Sequence, residues 1–180
     1  MFTIDDSTAL RPLVLADARE VFAVVDANRA YLRRWLPWVD AVLSEEHSRE
    51  FVESAVAQRE SGRGPTFAIL QREALVGLIG FHPIDRIHCV GEIGYWLAEA
   101  AQGRGIMTAC CRFVTRYGFY TLDLHRIQIP AAVANRRSRA IPERLGFTLE
   151  GIMRGRENLH GTFVDHALYA LLRADLPADF

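Results

Sequence analysis

Glycines lie at the point where the sequence predicts that a strand gives way to a helix. The segment reads Gln102-Gly103-Arg104-Gly105-Ile106-Met107. The first turn of a helix leaves several backbone N–H groups without acceptors, and the helix dipole adds partial positive charge there. Glycine lets a ligand approach such amides closely. The segment therefore predicts a binding site for a phosphate or pyrophosphate group, with a tight turn that binds nothing as the alternative.

Other patterns for phosphate or metal chemistry are absent from the sequence. The chain has no GxxxxGK[ST] pattern, which excludes a P-loop. It has no GxGxxG after the first predicted strand, which argues against a dinucleotide-binding fold. The six histidines show no ligand spacing such as HExxH, so we expect no catalytic metal.

The hydrophobic pattern predicts the elements that must hold the glycine segment. Apolar residues recur at helical spacing from Ile106 to Tyr117, directly after the glycines, and this is the clearest helix in the chain. Three further helices are expected at Ala18–Trp35, 44–61 and Ser138–Leu145. Seven strands are expected at Thr8–Leu15, Thr66–Gln71, Ala74–Phe81, Gly91–Leu97, His125–Val133, Phe147–Arg154 and Phe163–Leu172.

The composition limits the classes of function. The 180 residues suit a single domain, 1–180, and half of them are hydrophobic. The balance of 21 basic against 22 acidic residues argues against binding nucleic acid or an anionic membrane by bulk charge. No apolar run is long enough for a bilayer span, and the N-terminus lacks the basic region of a secretory signal. Three cysteines make no disulfide framework, so we expect a cytoplasmic protein.

Two motifs resemble those of a known family. Gln102-Gly103-Arg104-Gly105-Ile106 resembles the Q/R-x-x-G-x-G/A loop of the GNAT superfamily of acetyl-CoA-dependent N-acetyltransferases. The stretch from Asn135 to Phe147 resembles that family's second signature, an Asn followed by a short helix ending in E-K/R-L-G-F. Further segments look closer to the bacterial ribosomal-protein serine/alanine N-acetyltransferases: Arg11-Pro12-Leu13, Asn28–Trp38, Glu92–Leu97, Gly105–Thr108 and Leu145–Gly151. The resemblance covers nearly the whole chain.

The resemblance implies an α+β fold, with a mostly antiparallel, seven-stranded sheet and helices on both faces. The fourth and fifth strands would splay apart, and the pantetheine arm of acetyl-CoA would lie between them. The loop amides would hold the pyrophosphate, while Met107 departs from the Gly or Ala that the family usually has. The implied cofactor-binding residues are Trp96, Leu97, Gln102, Gly103, Arg104, Gly105, Ile106, Met107, Asn135 and Ser138.

Two residues are candidates for proton transfer in such an enzyme. Glu92 lies on the strand before the loop, and burial beside Tyr95 and Trp96 would raise its pKa toward that of a useful base. Many family members place a proton-donating tyrosine where this chain has Pro142. Ser138, one turn earlier on the same side of the helix, is the expected substitute. The alternatives are a paired or solvent-facing carboxylate for Glu92 and a helix N-cap for Ser138.

The acceptor is expected to be an amine. In the resembling family the region around Tyr31, Trp35 and Trp38 frames the acceptor pocket, and His82 would edge the same cleft; ordinary core packing and a solvated loop are the alternatives. An N-terminal α-amine, with a pKa of about 7.7–8.0, is partly neutral at neutral pH, unlike a lysine at about 10.4. A modest base therefore suffices for a protein N-terminus.

The sequence thus predicts an N-acetyltransferase that uses acetyl-CoA and no metal, and acts on a protein N-terminus such as that of a ribosomal protein. Two alternatives remain open: acetylation of a small-molecule amine, such as an antibiotic or polyamine, and a non-catalytic acyl-CoA-binding module. A homodimer is also left open.

Overall fold

The computed structural model describes residues 1–176 and residue 180, which form eight strands and five α-helices. The strands are β1 (Phe2–Thr3), β2 (Thr8–Pro12), β3 (Thr66–Gln71), β4 (Ala74–Phe81), β5 (Val90–Leu97), β6 (Arg126–Ala132), β7 (Thr148–Leu159) and β8 (Thr162–Leu172). The helices are α1 (Ala18–Ala27), α2 (Arg29–Leu32), α3 (Glu45–Glu60), α4 (Ile106–Tyr120) and α5 (Arg136–Arg144).

All the strands belong to one mixed sheet with the order β1-β2-β3-β4-β5-β6-β8-β7. Neighbours pair antiparallel except β5 and β6, which are parallel. The predicted α+β class with a mostly antiparallel sheet is confirmed. The described sheet has eight strands instead of seven because Phe2 and Thr3 pair with Leu10 and Ala9 as a short edge strand, which a two-residue segment could not signal in the sequence.

The two central strands separate along their length. β5 and β6 pair only from Val90 with Arg126 to Glu92 with Gln128. Beyond Glu92, β5 continues on β4, whereas β6 continues on β8. The predicted splay between the fourth and fifth strands, counted from β2, is therefore confirmed, and it leaves one edge of β5 unpaired up to Leu97.

Helices cover both faces of the sheet, as predicted. Successive side chains of β3 point to opposite faces of the sheet and contribute to two hydrophobic cores. Phe67 and Ile69 pack in the core beneath α4, whereas Ala68 and Leu70 pack in the core beneath α1 and α3. The buried stripe of α4 includes Cys110 and Cys111, and burial raises the pKa of each thiol to about 12. Both thiols therefore stay protonated and serve as packing residues, as the sequence indicates.

The predicted helix Ala18–Trp35 is wrong in its extent. α1 ends at Ala27, a short α2 follows, and residues 37–41 form a 3₁₀ segment that begins at Pro37. The break lies at Asn28, whose amide donates to the carbonyl of Val24 at 2.8 Å and accepts from the backbone N–H of Glu99 at 2.9 Å. The contact with Glu99 holds the junction of α1 and α2 against the loop that follows β5.

A salt bridge fixes the turn from β2 into α1. The buried Asp17 accepts hydrogen bonds from both terminal nitrogens of Arg11 at 2.6 Å and from the backbone N–H of Val14 at 2.9 Å. Burial by itself would raise the pKa of Asp17, but the hydrogen bonds outweigh it and hold the pKa below its usual value. The carboxylate is therefore expected to stabilise the fold in its ionised form.

Replacement of Asp17 by Asn should lower the free energy of unfolding by about 2–3 kcal/mol, because the half-buried Arg11 loses its counter-charge. Since the pKa is lowered on folding, the stabilisation is present above the unfolded-state pKa and is lost as the pH falls through the folded-state pKa. Urea unfolding between pH 7 and about pH 3 should therefore decline less steeply in D17N than in the parent. The exposed Asp6→Asn is the control. Equal unfolding midpoints for D17N and the parent would contradict this role.

Candidate active site

A cleft of about 990 Å³ opens where β5 and β6 splay apart, and residues from both faces of the sheet line it. Its walls come from the end of β5, the loop into α4, the start of α5 and the α2 region. Leu97, Gly103, Gly105, Asn135 and Ser138 are among the residues that line it. The structure thus brings together segments that lie up to about a hundred residues apart in the chain.

The glycine loop presents its backbone to this cleft. Gly103 and Gly105 adopt left-handed φ angles of 76° and 79°, and Gly105 is the N-cap of α4. A Cβ built on either glycine would meet no atom within 4 Å, so the space before the loop is open. The N–H groups at the first turn of α4 have no intrahelical acceptors and lie beside that space. This arrangement can bind a pyrophosphate by hydrogen bonds and by the helix dipole.

The side chains of the loop have different surroundings. Gln102 joins the loop to its neighbours, because its amide donates to the carbonyl of Leu97 at 3.3 Å and accepts from Arg137 at 3.4 Å. Arg104 does not line the cleft, since its guanidinium lies 3.5 Å from Gln71 at the end of β3. The side chain of Met107 is buried in the core of α4, so its size does not obstruct the loop amides.

Ser138 has a different environment from the one that an N-cap would have. Asn135 is the N-cap of α5, since its side-chain oxygen accepts from the backbone N–H of Ser138 at 3.1 Å. The Ser138 hydroxyl instead lies 3.1 Å from the hydroxyl of Tyr95, which also donates to the Ser138 carbonyl at 3.2 Å. The N-cap alternative for Ser138 is therefore wrong, and its hydroxyl faces the cleft.

Tyr95 is a site residue that the sequence did not identify. It lines the cleft, and burial raises its pKa well above the usual value, so the phenol stays protonated. The sequence feature that could have identified Tyr95 is the alternation of side chains along β5. It places residues 93, 95 and 97 on the α4 side of the sheet and residues 92, 94 and 96 on the other side. Only the position of α5 in the tertiary structure shows that Tyr95 meets Ser138.

Glu92 lies on the opposite face of the sheet from Ser138. Its side chain accepts a hydrogen bond from Gln128 at 2.9 Å, and His82 Nε2 lies 3.9 Å from its other oxygen. The expectation that Glu92 is buried beside Tyr95 is wrong, because the two positions differ by three and their side chains therefore leave the strand on opposite faces. Glu92 instead sits where the pairing of β5 and β6 ends.

The predicted acceptor residues divide into two groups. Tyr31 and Trp35 line the cleft, together with Trp96 of β5. Trp38 does not line it, but its ring centroid lies 6.3 Å from that of Trp96. His82 is largely exposed, and neither it nor Glu92 is among the residues that line the cleft. The α2 region therefore contributes an aromatic wall on the side of the sheet that carries Glu92.

A second carboxylate and imidazole pair lies on the Glu92 face. His166 Nε2 is 3.3 Å from Glu157 Oε2. Register places His166 opposite Ala132 of β6, on the same face as Gln128. Its Nδ1 is buried and has no partner among the residues that the structure describes. The sequence offered no signal for this pair, because the two side chains meet only through the β7–β8 pairing.

Within residues 1–176 and 180, no group of three or more His, Cys, Asp or Glu side chains could hold a metal ion. In that same part of the chain no helix combines the length and apolar character needed to cross a membrane.

The family model and the relatives that match this chain are all described as acetyltransferases. Residues 8–148 match the family model described as an acetyltransferase (GNAT) domain. A putative ribosomal N-acetyltransferase YdaF of Bacillus subtilis is 34% identical over 178 residues, which is 97% of each chain. A ribosomal-protein-serine acetyltransferase of Escherichia coli is 30% identical over 167 residues, 93% of each chain.

A solved structure extends the likeness to three dimensions. The ribosomal L7/L12 α-N-protein acetyltransferase RimL, in complex with coenzyme A, superposes with a TM-score of 0.87 at 30% identity. The match covers 95% of this chain and 97% of that one.

Proposed function

The chain belongs to the GNAT acetyltransferase family and is an acetyl-CoA-dependent N-acetyltransferase, and from this premise we propose that its acceptor is the N-terminal α-amine of a protein, with ribosomal proteins as the first class to test. The observation that carries the proposal is the full-length likeness to relatives named as ribosomal-protein acetyltransferases.

The residues of the cleft fit acetyl-CoA. The amides from Gly103 to Met107 have the position and dipole for its pyrophosphate. The unpaired edge of β5 at Trp96 and Leu97 offers backbone groups to an extended arm, in the manner of an added strand. Gln102 and Asn135 lie at either side of this path, both in the lining of the cleft.

The reaction needs two proton transfers, and the residues proposed for them, Glu92 and Ser138, lie on opposite faces of the sheet. Acetyl-CoA supplies the acetyl thioester. On one face, Glu92 accepts the proton of the attacking amine, directly or through water. On the other face, the Ser138 hydroxyl donates a proton toward the leaving sulfur, and Tyr95 holds that hydroxyl in place. An α-amine with a pKa of about 7.7–8.0 requires only modest help from the base.

Replacement of Glu92 by Gln should lower kcat/KM for an N-terminal peptide by about 10–100-fold, because the amide cannot accept the amine proton. The acid limb of the pH profile should flatten as well. The exposed Glu53→Gln on α3 is the control, and steady-state kinetics between pH 6 and about pH 9 is the measurement. If E92Q keeps its activity while Glu157→Gln loses it, the base is the pair of Glu157 and His166 instead.

The acceptor class is tested by mass spectrometry after incubation with acetyl-CoA. The panel contains ribosomal-protein N-terminal peptides, the same peptides blocked at the α-amine but carrying a lysine, and small linear polyamines. The proposal expects acetylation of the free N-termini above all others. Preferred acetylation of the polyamines would reject it in favour of a small-molecule acceptor, and binding without release of free thiol would indicate a non-catalytic module.

A further inference from the structure

Helix α5 contributes two residues to the cleft, although it is short. Asn135 is its N-cap and Ser138 lies in its first turn, and both line the cleft. The helix has only nine residues and contains Pro142, which lacks the N–H that would donate to the carbonyl of Ser138. So short a helix has little stability of its own, and its position therefore depends on contacts with the sheet.

Tyr95 holds α5 on the β5 side of the splay. Its hydroxyl donates at 3.2 Å to the Ser138 carbonyl, the group that Pro142 deprives of its helical donor, and lies 3.1 Å from the Ser138 hydroxyl. Beyond Glu92, β5 pairs with β4 and no longer with β6. The contact with Tyr95 therefore joins α5 to one half of the divided sheet.

A buried hydroxyl holds α5 on the other half of the sheet. Tyr169 of β8 is only 1% exposed. Its hydroxyl donates to Glu143 Oε1 at 2.5 Å and accepts from Arg139 Nε at 2.9 Å. Both partners lie on α5, four residues apart and thus on one side of the helix. We call Arg139, Glu143 and Tyr169 the anchor.

The anchor also holds the loop that leads into α5. A terminal nitrogen of Arg139 donates to the carbonyl of Val133 at 3.2 Å. The N–H of Val133 in turn donates to the carbonyl of Asp165 in β8 at 2.9 Å. Arg139 thus connects α5, β8 and the chain two residues before Asn135.

The anchor determines the direction in which Ser138 points. Successive residues of an α-helix are about 100° apart around its axis, so Ser138 and Arg139 face different sides. While Arg139 and Glu143 bind Tyr169, the Ser138 side of the helix is turned toward Tyr95. A rotation of α5 that broke the anchor would carry the Ser138 hydroxyl away from its place in the cleft.

We propose that the anchor is a set of positioning residues for proton transfer, which keeps the Ser138 hydroxyl directed at the leaving sulfur by fixing the rotation of α5. The inference rests on the proposed function, which assigns this proton to Ser138. Arg139, Glu143 and Tyr169 are not among the residues that line the cleft, so they act through Ser138 and not on the cofactor or the acceptor.

Replacement of Tyr169 by Phe removes the hydroxyl and keeps the packing of the ring. Y169F should lower kcat by about tenfold and change the Kd for coenzyme A less than about twofold, because a misdirected donor affects the transition state and not cofactor binding. Y169F added to S138A should lower kcat little further, since no hydroxyl is left to direct. The matched control is Tyr117→Phe on α4, whose ring packs against Phe67 and Phe113 outside the lining of the cleft.

Glu143 allows a second test that leaves the core intact. Its side chain is about half exposed, so its variants should fold even where Y169F does not. Glu143→Gln keeps an oxygen that can accept from Tyr169 and should retain kcat within about twofold, whereas Glu143→Ala should lower kcat as Y169F does. Thermal unfolding of each variant verifies that the fold is retained.

Release of free thiol measures kcat, with whichever acceptor of the panel the parent uses best, so the result does not depend on the acceptor class. Parental kcat in Y169F and E143A, a loss confined to the Kd for coenzyme A, or the same fold-loss from Y169F with and without S138A would overturn the anchor's role and leave Ser138 as the donor. Full turnover in S138A would reject Ser138 as the donor and the anchor's role with it.

Discussion

Replacement of Ser138 by Ala is expected to lower kcat by about 10²–10³-fold while the Kd for coenzyme A changes little. The hydroxyl lies in the cleft 3.1 Å from Tyr95, and it is the proposed proton donor to the leaving sulfur. Loss of a donor that acts in the transition state lowers kcat and kcat/KM together. Pre-steady-state release of free thiol measures the step.

The structure indicates that S138A should lower kcat without lowering the stability of the fold. Asn135, not Ser138, caps α5, so S138A should change the free energy of unfolding by less than about 0.5 kcal/mol. Tyr95→Phe keeps the packing of the ring and removes only the hydrogen bond to Ser138. Y95F alone should lower kcat by about tenfold. Y95F added to S138A should lower kcat little further, because the hydroxyl that Tyr95 positions is already absent.

Two outcomes would contradict the assignment. Full turnover in S138A would remove Ser138 from proton transfer. A large effect of Y95F in the S138A background would make Tyr95 itself the proton donor, since the two residues would no longer act as one unit.

Replacement of Gly103 by Val is expected to weaken binding of coenzyme A by about 100-fold, through loss of about two charge-assisted hydrogen bonds to the loop amides. Gly103 has a φ of 76°, and its Cβ position points into open space beside the amides. A branched side chain there both strains the backbone and occupies the room of the pyrophosphate. Isothermal titration calorimetry with coenzyme A measures the affinity.

Gly62 supplies the matched control for backbone strain. Its φ is 71°, its Cβ would also meet nothing within 4 Å, and it follows α3 outside the lining of the cleft. G62V and G103V should each lose about 1–2 kcal/mol of stability from the left-handed conformation. Only G103V should lose affinity for coenzyme A. Unchanged affinity in G103V would show that the loop does not hold the pyrophosphate.

The spacing of apolar residues and glycines along the sequence predicted much of the fold. The pattern from Ile106 to Tyr117 located α4 correctly because an amphipathic helix buries residues at a period that one can read directly. The glycine loop was equally readable, since left-handed φ angles at Gly103 and Gly105 favour glycine. The break of the first helix at Asn28 was not, because its contact with Glu99 joins residues 71 positions apart.

The roles of the site residues divide in the same way. The sequence nominated Ser138 and Glu92, but it could not tell that Tyr95 meets Ser138, that Gln128 binds Glu92, or that the two candidates lie on opposite faces of the sheet. Successive side chains of a strand point to opposite faces of the sheet, so each strand presents two sets of side chains. What each set contacts depends on the elements that pack on that face, which the sequence of the strand does not show.

By itself the sequence determined most of the elements, the glycine loop and the family, because these depend on residues that are neighbours along the chain. Only the tertiary structure decided which side chains share the cleft and that His160 in the β7–β8 turn contacts Arg33 and Asp40. Such contacts arise from strand register and helix packing, which bring together groups as much as 127 residues apart and leave no local pattern.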